Sequence, residues 1–312
     1  MRSVLTALAA ALAWSTPALA ADPSDAATAD SYRAAMNDAR WTGPLLASNA
    51  ETLPEGHVYT EPYFFDSISG GEHNPGSSGF YQYGLTNDWT VGVQPFFSWG
   101  TQAHNREIAI GDFKLLSQVR ISHFTPDHRV PSVAIVTNLV LPTGKHDRLG
   151  ALKQGHGSGS FAPEIGVNVQ QYFLLGNGRL LRGRINVLHQ FPLRHEVTGR
   201  SVYGTGPDFR GHARPGSKTT FIAGAEYSLT KEWVLAFDVE ADFWGQTKVT
   251  GRDGGGPLVR QTSPRSWNVG FAPAVEYNWS DRAGIIAGVW IIPKGHNTPS
   301  TVIPAIAIQR FW

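Results

Sequence analysis

The sequence predicts an all-β fold, a transmembrane antiparallel up-and-down β-barrel of about 12 strands with short periplasmic turns and longer extracellular loops. Three observations predict it. The chain begins with the pattern of an export signal, continues as alternating runs long enough to cross a bilayer, and ends within such a run, on Trp312. Together they place the protein in the outer membrane of a Gram-negative envelope, as an integral protein, after export.

Composition agrees with this fold class without deciding it. Charged residues make up 16% of the 312 residues, against roughly 25% in an average soluble domain. The 34 Gly and 10 Trp suit strands that face lipid between aromatic girdles, although a soluble lectin or jelly roll would have a similar composition. The net charge of +1 argues against a nucleic-acid partner. The lack of Cys excludes disulfides, thiolate metal sites and a cysteine nucleophile.

Residues 1–20 have the pattern of a signal peptide that is removed. Arg2 provides a positive region, residues 4–14 are apolar, and residues 18–20 have the small-x-small pattern of a cleavage site. The apolar run is too short to span about 30 Å of hydrocarbon. Residues 21–54 are polar and rich in Ala. They predict a periplasmic segment that is partly disordered, with a short helix over residues 31–41.

Residues 55–312 predict the barrel itself. Short runs alternate between apolar and polar side chains, the period of a strand with two different faces. Most runs reach the roughly 9–11 residues that a tilted strand needs to cross a bilayer, whereas strands average about 5–6 residues in soluble proteins. The predicted strands are residues 57–67, 79–85, 89–99, 108–123, 131–141, 160–174, 179–191, 218–229, 233–245, 265–279, 283–292 and 300–312.

The connections between these runs are predicted to alternate between short and long. Residues 86–88 and 176–178 are short polar turns, whereas residues 68–78, 192–217 and 246–264 are longer and rich in Gly or Pro. Bacterial outer-membrane barrels have short periplasmic turns and longer extracellular loops. With both termini in the periplasm, every short connection falls on the periplasmic side, and a soluble sandwich has no reason to keep this alternation.

The last run, residues 300–312, is predicted to close the barrel against the first strand. Ile306 and Ile308 share one face and Ala307 the other. A chain that ends inside a strand needs neighbours to hold it, because free termini usually fray. We therefore expect this strand, ending at Trp312, to be recognised by the barrel-assembly machinery. Arg310 lies on the apolar face and is expected to reach the periplasmic headgroups.

Three stretches resemble a known family. They are residues 83–93 (YGLTNDWTVGV), residues 111–114 (GDFK) and residues 141–147 (LPTGKHD), and they resemble the outer-membrane proteins of the meta-pathway of phenol degradation family. The resemblance extends over about residues 43–312. It implies an outer-membrane barrel associated with the catabolism of aromatic compounds, with a transport role and no catalytic residues. The sequence departs from the family pattern at His146 and at Arg310.

Charged side chains on the polar faces are predicted to line the lumen. Arg or Lys facing lipid at the bilayer midplane would cost about 2–4 kcal/mol each, so these side chains belong inside. Either they border a wet channel, basic on one wall and acidic on the other, or they pair in salt bridges and fill a closed barrel. The lumen-lining candidates are Asp112, Lys114, Arg120, Glu164, Arg182, Arg184, Glu226, Asp238, Glu240, Asp242 and Glu276.

The connection over residues 192–217 is rich in Arg and has three possible roles. It could fold inward as a constriction, bind anionic lipopolysaccharide outside the barrel, or remain a solvated loop. The candidate residues for the constriction are Arg194, Arg200, Arg210 and Arg214.

An enzyme is not predicted. A lipid-hydrolysing barrel would need a Ser and a His at the outer edge of the wall, for which His189 with Ser160 or Ser266 are candidates, but no G-x-S-x-G motif supports them. Five loop His residues show no metal-ligand spacing: His73, His104, His146, His156 and His296. No metal site and no cofactor are predicted.

The sequence therefore favours an outer-membrane channel or transporter for passive uptake of small molecules. The family resemblance implies hydrophobic or aromatic compounds as solutes. The alternative is a closed structural or surface-binding barrel without transport. The expected partners are outer-membrane lipid and lipopolysaccharide.

Overall fold

A computed structural model describes residues 23–99, 108–127, 129–150 and 155–312. The predicted signal peptide lies outside the described residues. Helix α1 (Pro23–Asn37) precedes the strands. The strands are β1 (Val58–Ser69), β2 (Glu72–Thr86), β3 (Trp89–Gln94), β4 (Phe96–Trp99), β5 (Ile108–Ile110), β6 (Phe113–Ser122), β7 (Ser132–Leu141), β8 (Ala162–Leu174), β9 (Leu180–Gln190), β10 (His195–Thr198), β11 (Phe209–Arg214), β12 (Lys218–Ser228), β13 (Trp233–Trp244), β14 (Lys248–Asp253), β15 (Leu258–Thr262), β16 (Ser266–Ser280), β17 (Ala283–Ile292) and β18 (Thr301–Phe311).

The main sheet closes into a 12-stranded antiparallel barrel, which confirms the predicted fold class. Two of its strands are interrupted. Pro95, which has no N–H to give to the ladder, separates β3 from β4, and Gly111 with Asp112 separates β5 from β6. The barrel closes where β18 pairs with β1, from Ile68 opposite Val302 to Tyr59 opposite Phe311. The predicted pairing of the last strand with the first is therefore confirmed.

The two faces of the wall follow the alternation in the sequence. On β13, Phe237 is 46% exposed while Asp238 is fully buried, and on β18 Ile308 is 51% exposed while Ala307 is 1% exposed. The outward face is thus an apolar surface that fits lipid. Exposed aromatic residues lie near both ends of the strands: Trp89, Trp233, Trp279 and Trp312 at the periplasmic end, and Phe161, Phe191, Phe243 and Trp267 at the outer end. Arg310 lies over the Trp312 ring at 4.7 Å.

The first connection differs from the prediction. Residues 68–78 were expected to form a long loop, but β1 and β2 remain paired out to Ser69 opposite Glu72. The reversal is made by Gly70 and Gly71, with φ of 58° and 80°. Positive φ at both central residues gives the two-residue turn that best matches strand twist. The strict alternation of short and long connections therefore fails here.

A second sheet lies outside the barrel, where loops were predicted. Strands β10, β11, β14 and β15 form this 4-stranded sheet, here called the outer sheet. It is built from the connections after β9 and after β13 and has its own small core of Val197, Phe209, Ala213 and Val249. Its strands extend the chain beyond the outer rim of the barrel.

Helix α1 starts earlier than the helix predicted over residues 31–41. Its sequence is rich in Ala, which favours helix, and has Pro at the first position, where a missing N–H costs nothing. Tyr32 packs against Phe124, Tyr172 and Leu180 at the periplasmic end of the barrel. In the described part of the chain, no helix is long and apolar enough to cross a membrane.

Candidate functional site

The chain between α1 and β1 enters the barrel lumen from the periplasmic end. We call residues 41–53 the plug segment. Just before it, the Arg40 N–H donates to the Lys231 carbonyl oxygen at 2.9 Å, and the Arg40 Nε donates to Asp281 at 2.6 Å. The Thr42 N–H then donates to the Glu276 carboxylate at 2.7 Å. These contacts lead the chain from the periplasmic turns at Lys231 and Asp281 into the barrel. The segment was predicted to lie in the periplasm and to be partly disordered, so the structure differs from that prediction.

The middle of the plug segment bonds to the wall through its backbone. The Leu46 N–H donates to Asp238 Oδ2 at 3.0 Å, and Arg184 Nη1 donates to the Ala47 carbonyl oxygen at 2.7 Å. Asn186 binds Ser48 twice, accepting from its N–H at 2.8 Å and donating to its carbonyl oxygen at 3.0 Å. Buried backbone groups need partners, and here the side chains of β9 and β13 supply them.

Small residues of the wall make room for this segment. A Cβ added to Gly288 would lie 2.2 Å from Leu45 Cδ1, and one added to Gly224 would lie 2.7 Å from Ala47 Cβ. Leu45 packs against the buried group that includes Ala236, Ala274 and Ala307. The lumen at this level is therefore filled by protein atoms.

The plug segment then returns to the periplasmic end and joins β1. Glu51 pairs with Arg120 at 2.6 Å and accepts a short hydrogen bond from Ser132. The Leu53 N–H donates to Thr90 Oγ1 at 2.8 Å. Of these wall residues, only Arg120 was a lumen candidate. The partners on the plug side were missed, because a polar stretch before the first strand has no periodicity that would indicate a binding role.

Most of the predicted lumen charges lie in direct ion pairs. Arg182 Nε donates to Glu226 Oε2 at 2.7 Å, and Arg184 Nε lies 3.2 Å from the same oxygen. Strands β9 and β12 are neighbours, so Glu226 offsets part of the positive charge of both Arg residues within the wall. Further pairs are Lys114 with Glu164 at 3.2 Å, Lys218 with Asp242 at 2.9 Å and Arg120 with Asp88 at 2.8 Å. Glu240 and Glu276 are buried.

Asp112 has a structural role that was not predicted. It follows β5 at the outer end of the lumen, where it binds a loop in addition to bordering the open space. Its carboxylate accepts from the Gly144 N–H at 3.0 Å, and from the Ser158 N–H and hydroxyl at 2.6 and 2.7 Å. The Tyr203 hydroxyl donates to the Ser158 carbonyl oxygen. Asp112 thus holds the loop after β7 at the outer end of the barrel.

A cavity of about 1560 Å³ lies at the outer end of the barrel. We call it the outer vestibule. Asp112 and Ser158 are on its border, as is His156, whose Nδ1 lies 3.1 Å from Ser98 Oγ. Burial lowers the pKa of His156, so its ring is neutral near pH 7. The large apolar side chains that line the vestibule include Phe65, Phe96, Trp99, Ile108, Ile110 and Tyr203.

The four Arg residues proposed for a constriction are all exposed. Arg194 follows β9, and Arg200 donates to the Gly150 carbonyl oxygen at 3.2 Å. Arg210 and Arg214 lie on β11 in the outer sheet. The segment that carries them forms a sheet beyond the rim, which does not support the constriction hypothesis.

The residues considered for an enzyme have unrelated partners. His189 Nδ1 lies 2.7 Å from Thr219 Oγ1, and the buried Ser160 donates to the Leu193 carbonyl oxygen at 2.6 Å. Ser266 pairs with Trp244 across strands. Among the described residues, no group of three or more His, Asp or Glu could hold a metal ion. His104 lies outside those residues.

Three solved structures of outer-membrane proteins resemble this chain to different degrees. An outer-membrane channel from Pseudomonas putida F1 has 14% identity and a TM-score of 0.59, covering 87% of this chain and 100% of its own. The NanC porin has 10% identity and a TM-score of 0.47, covering 80% and 98%. The TodX monoaromatic hydrocarbon channel, as a deltaS2 mutant, has 13% identity and a TM-score of 0.41, covering 88% and 96%. The first of these shares the barrel fold with this chain.

No known family model matches the chain. No curated protein matches it. The resemblance to the phenol degradation family therefore stays a prediction.

Proposed function

We propose that the protein is an integral outer-membrane channel for the passive passage of small molecules, and that hydrophobic or aromatic compounds are its solutes. The observation that carries this proposal is the outer vestibule, a cavity of about 1560 Å³ above the plug segment. Ligand sites are usually concave and mostly apolar, with a few polar groups that orient the ligand. The vestibule is concave and combines aromatic side chains with polar groups such as Asp112 and His156.

Phe65 and Phe96 are the side chains best suited to test the solute class. Their ring centroids are 5.9 Å apart, and both rings border the vestibule. The neighbour Phe64 is 52% exposed on the opposite face of β1. Phe64 and Phe65 therefore form a matched pair, since the same substitution removes the same atoms from lipid contact in one case and from the vestibule in the other.

The test is uptake by cells with and without the protein, using labelled phenol and labelled arabinose. We expect the protein to raise phenol uptake more than arabinose uptake, and Phe65→Ala with Phe96→Ala to reduce the phenol preference several-fold. Phe64→Ala should retain that preference. Equal uptake with and without the protein for both solutes would contradict the channel proposal, and equal gains for both would contradict the solute class.

A closed structural barrel is the second candidate, and one observation favours it. The plug segment and the Arg182–Glu226 pair fill the inner half of the lumen. Single-channel recording in planar bilayers separates the two candidates. Unitary current steps support the channel, whereas a folded protein that carries no current in any trial supports the closed barrel.

Two partners belong to this proposal. The C-terminal strand ending at Trp312 is proposed to engage the barrel-assembly machinery. The apolar outward face of the barrel wall is proposed to contact outer-membrane lipid.

A further inference from the structure

One face of the outer sheet carries most of its positive charge. Cross-strand register puts Arg210 opposite Arg252 and Arg214 opposite Lys248, and the next strand adds Arg260 opposite Thr250. All of these cations are exposed. Cross-strand partners lie on the same face of a sheet, so five cations share it. We call this surface the basic face. Its one acidic strand residue is Glu196, opposite His212.

This arrangement works against the stability of the isolated sheet. Like charges directly opposite each other in neighbouring strands are destabilising, and the basic face has two such pairs, Arg210–Arg252 and Arg214–Lys248. Within the described part of the chain, none of its five cations lies in an ion pair. A bound polyanion would remove this repulsion, because each anionic group could neutralise two guanidinium or ammonium groups at once.

The basic face is also concave. A cavity of about 790 Å³ is bordered by Arg210, His212, Thr250, Arg252 and Leu258, which all lie on this face by register. The volume is within the range of about 300–1,000 Å³ usual for small-ligand sites. Thr198 and the acidic Asp208 complete its polar border. Guanidinium groups bind phosphate through two parallel hydrogen bonds, so two Arg residues facing a hollow of this size suit a phosphorylated sugar.

The position of the sheet indicates which anion is available. Its opposite face packs around Phe209 and against Tyr203, and Tyr203 also borders the outer vestibule. The basic face is therefore turned away from the vestibule. Lys248 lies shortly after the outer end of β13, where Phe243 is exposed to lipid. This is the level at which headgroups begin, above the hydrocarbon.

We propose that the basic face binds the phosphorylated sugars of lipopolysaccharide in the outer leaflet, with Arg210 and Arg252 holding phosphate in the hollow between them. This site does not depend on the proposed channel function. It is an attachment surface on the outside of the barrel.

The test is binding of purified lipopolysaccharide to the full chain in detergent. The probe is used intact and after removal of its phosphates with hydrofluoric acid. The double variant Arg210→Gln with Arg252→Gln removes two charges from the cavity on the basic face. We call it the hollow variant. The control, Lys231→Gln with Arg282→Gln, removes two charges at the periplasmic turns. Heat-modifiable migration on gels checks that each variant is folded.

We expect intact lipopolysaccharide to bind the hollow variant on the order of tenfold more weakly than the wild type, as for loss of charge-assisted phosphate contacts. The control should bind like the wild type, and the wild-type affinity should fall as salt rises. Equal binding of the hollow variant and the wild type would overturn the proposal. So would equal binding of the intact and dephosphorylated probes, or binding of free glucose 1-phosphate as tight as that of lipopolysaccharide.

Discussion

The two halves of the lumen are built from the same strands but are occupied differently. In the inner half, Asp238 and Asn186 bond to the backbone of the plug segment. In the outer half, Phe65 and Phe96 border an open cavity. A polar lumen wall is therefore no evidence of a wet channel by itself. An extended segment has unpaired N–H and C=O groups along its whole length, and a ring of polar side chains can satisfy them as well as water can.

This difference separates two roles. The inner half decides whether the barrel is open, because its cross-section is shared with the plug segment. In the proposed channel, the outer half would be the part that contacts the solute, because its surface borders an open cavity.

Deleting residues 23–53 should have the largest effect on the difference between the two halves of the lumen. The inner half would lose the protein atoms that fill it, and we expect the single-channel conductance to rise several-fold. The control is deletion of residues 23–37, which removes α1 but keeps the plug segment, and should leave the conductance near the wild-type value. Planar-bilayer recording measures both. Identical currents from the two deletions would show that the plug segment does not obstruct the lumen.

Removing wall acceptors should have an intermediate effect. Asp238→Ala with Asn186→Ala leaves the Leu46 and Ser48 N–H groups without their partners, at a cost of about 1–3 kcal/mol for each unsatisfied group. We expect the plug segment to move and the current to become noisy, between open and closed levels. Leu235→Ala, on the lipid-facing side of β13, is the control. A quiet current like that of the wild type would argue that other contacts hold the segment.

Breaking the ion pair between Arg40 and Asp281 should have the smallest effect. We call this pair the periplasmic tether, because it holds the chain just before the plug segment. The hydrogen bond from Arg40 lowers the pKa of Asp281. The ion pair therefore stabilises the fold above the ordinary Asp pKa of about 3.9, and this stabilisation is lost as the pH falls through the lowered value in the folded protein. Because Asp281 is exposed, solvent screens the pair, so Arg40→Ala should change the conductance little at pH 7.

The contribution of this tether is measured as the change in current noise at acidic pH. In the wild type, the current noise should increase as Asp281 takes up a proton. In Arg40→Ala the same noise should be present at pH 7 and should depend less on acid. Lys294→Ala is the control, because that residue follows β17 at the outer end of the barrel and is not among the charges that act on Asp281. Indistinguishable acid profiles for the wild type and Arg40→Ala would exclude the tether.

Strand faces could be predicted because they depend only on neighbouring residues. Phe237 and Asp238 follow one another in the sequence and must point to opposite faces of a strand, and the same holds for Ala307 and Ile308. The turn at Gly70 and Gly71 was missed for a similar local reason. Alternation continues through residues 68–78 only weakly, and the Gly pair that permits a two-residue turn was interpreted as part of a long loop.

The plug segment could not be predicted, since its partners are far apart in the chain. Leu46 meets Asp238 and Thr42 meets Glu276, contacts that exist only after the barrel has closed. The outer sheet is a similar case, because β11 and β14 come from two different connections. Local pattern gave no sign that these connections would pair.

The sequence by itself determined the barrel, its lipid-facing surface and the strand that closes it, because period-two alternation and strand length are properties of consecutive residues. Only the tertiary structure decided what occupies the lumen, which charges neutralise one another and where the loop Arg residues lie. Those outcomes depend on distances between residues such as Arg184 and Ala47, and closure of the sheet is what brings them together.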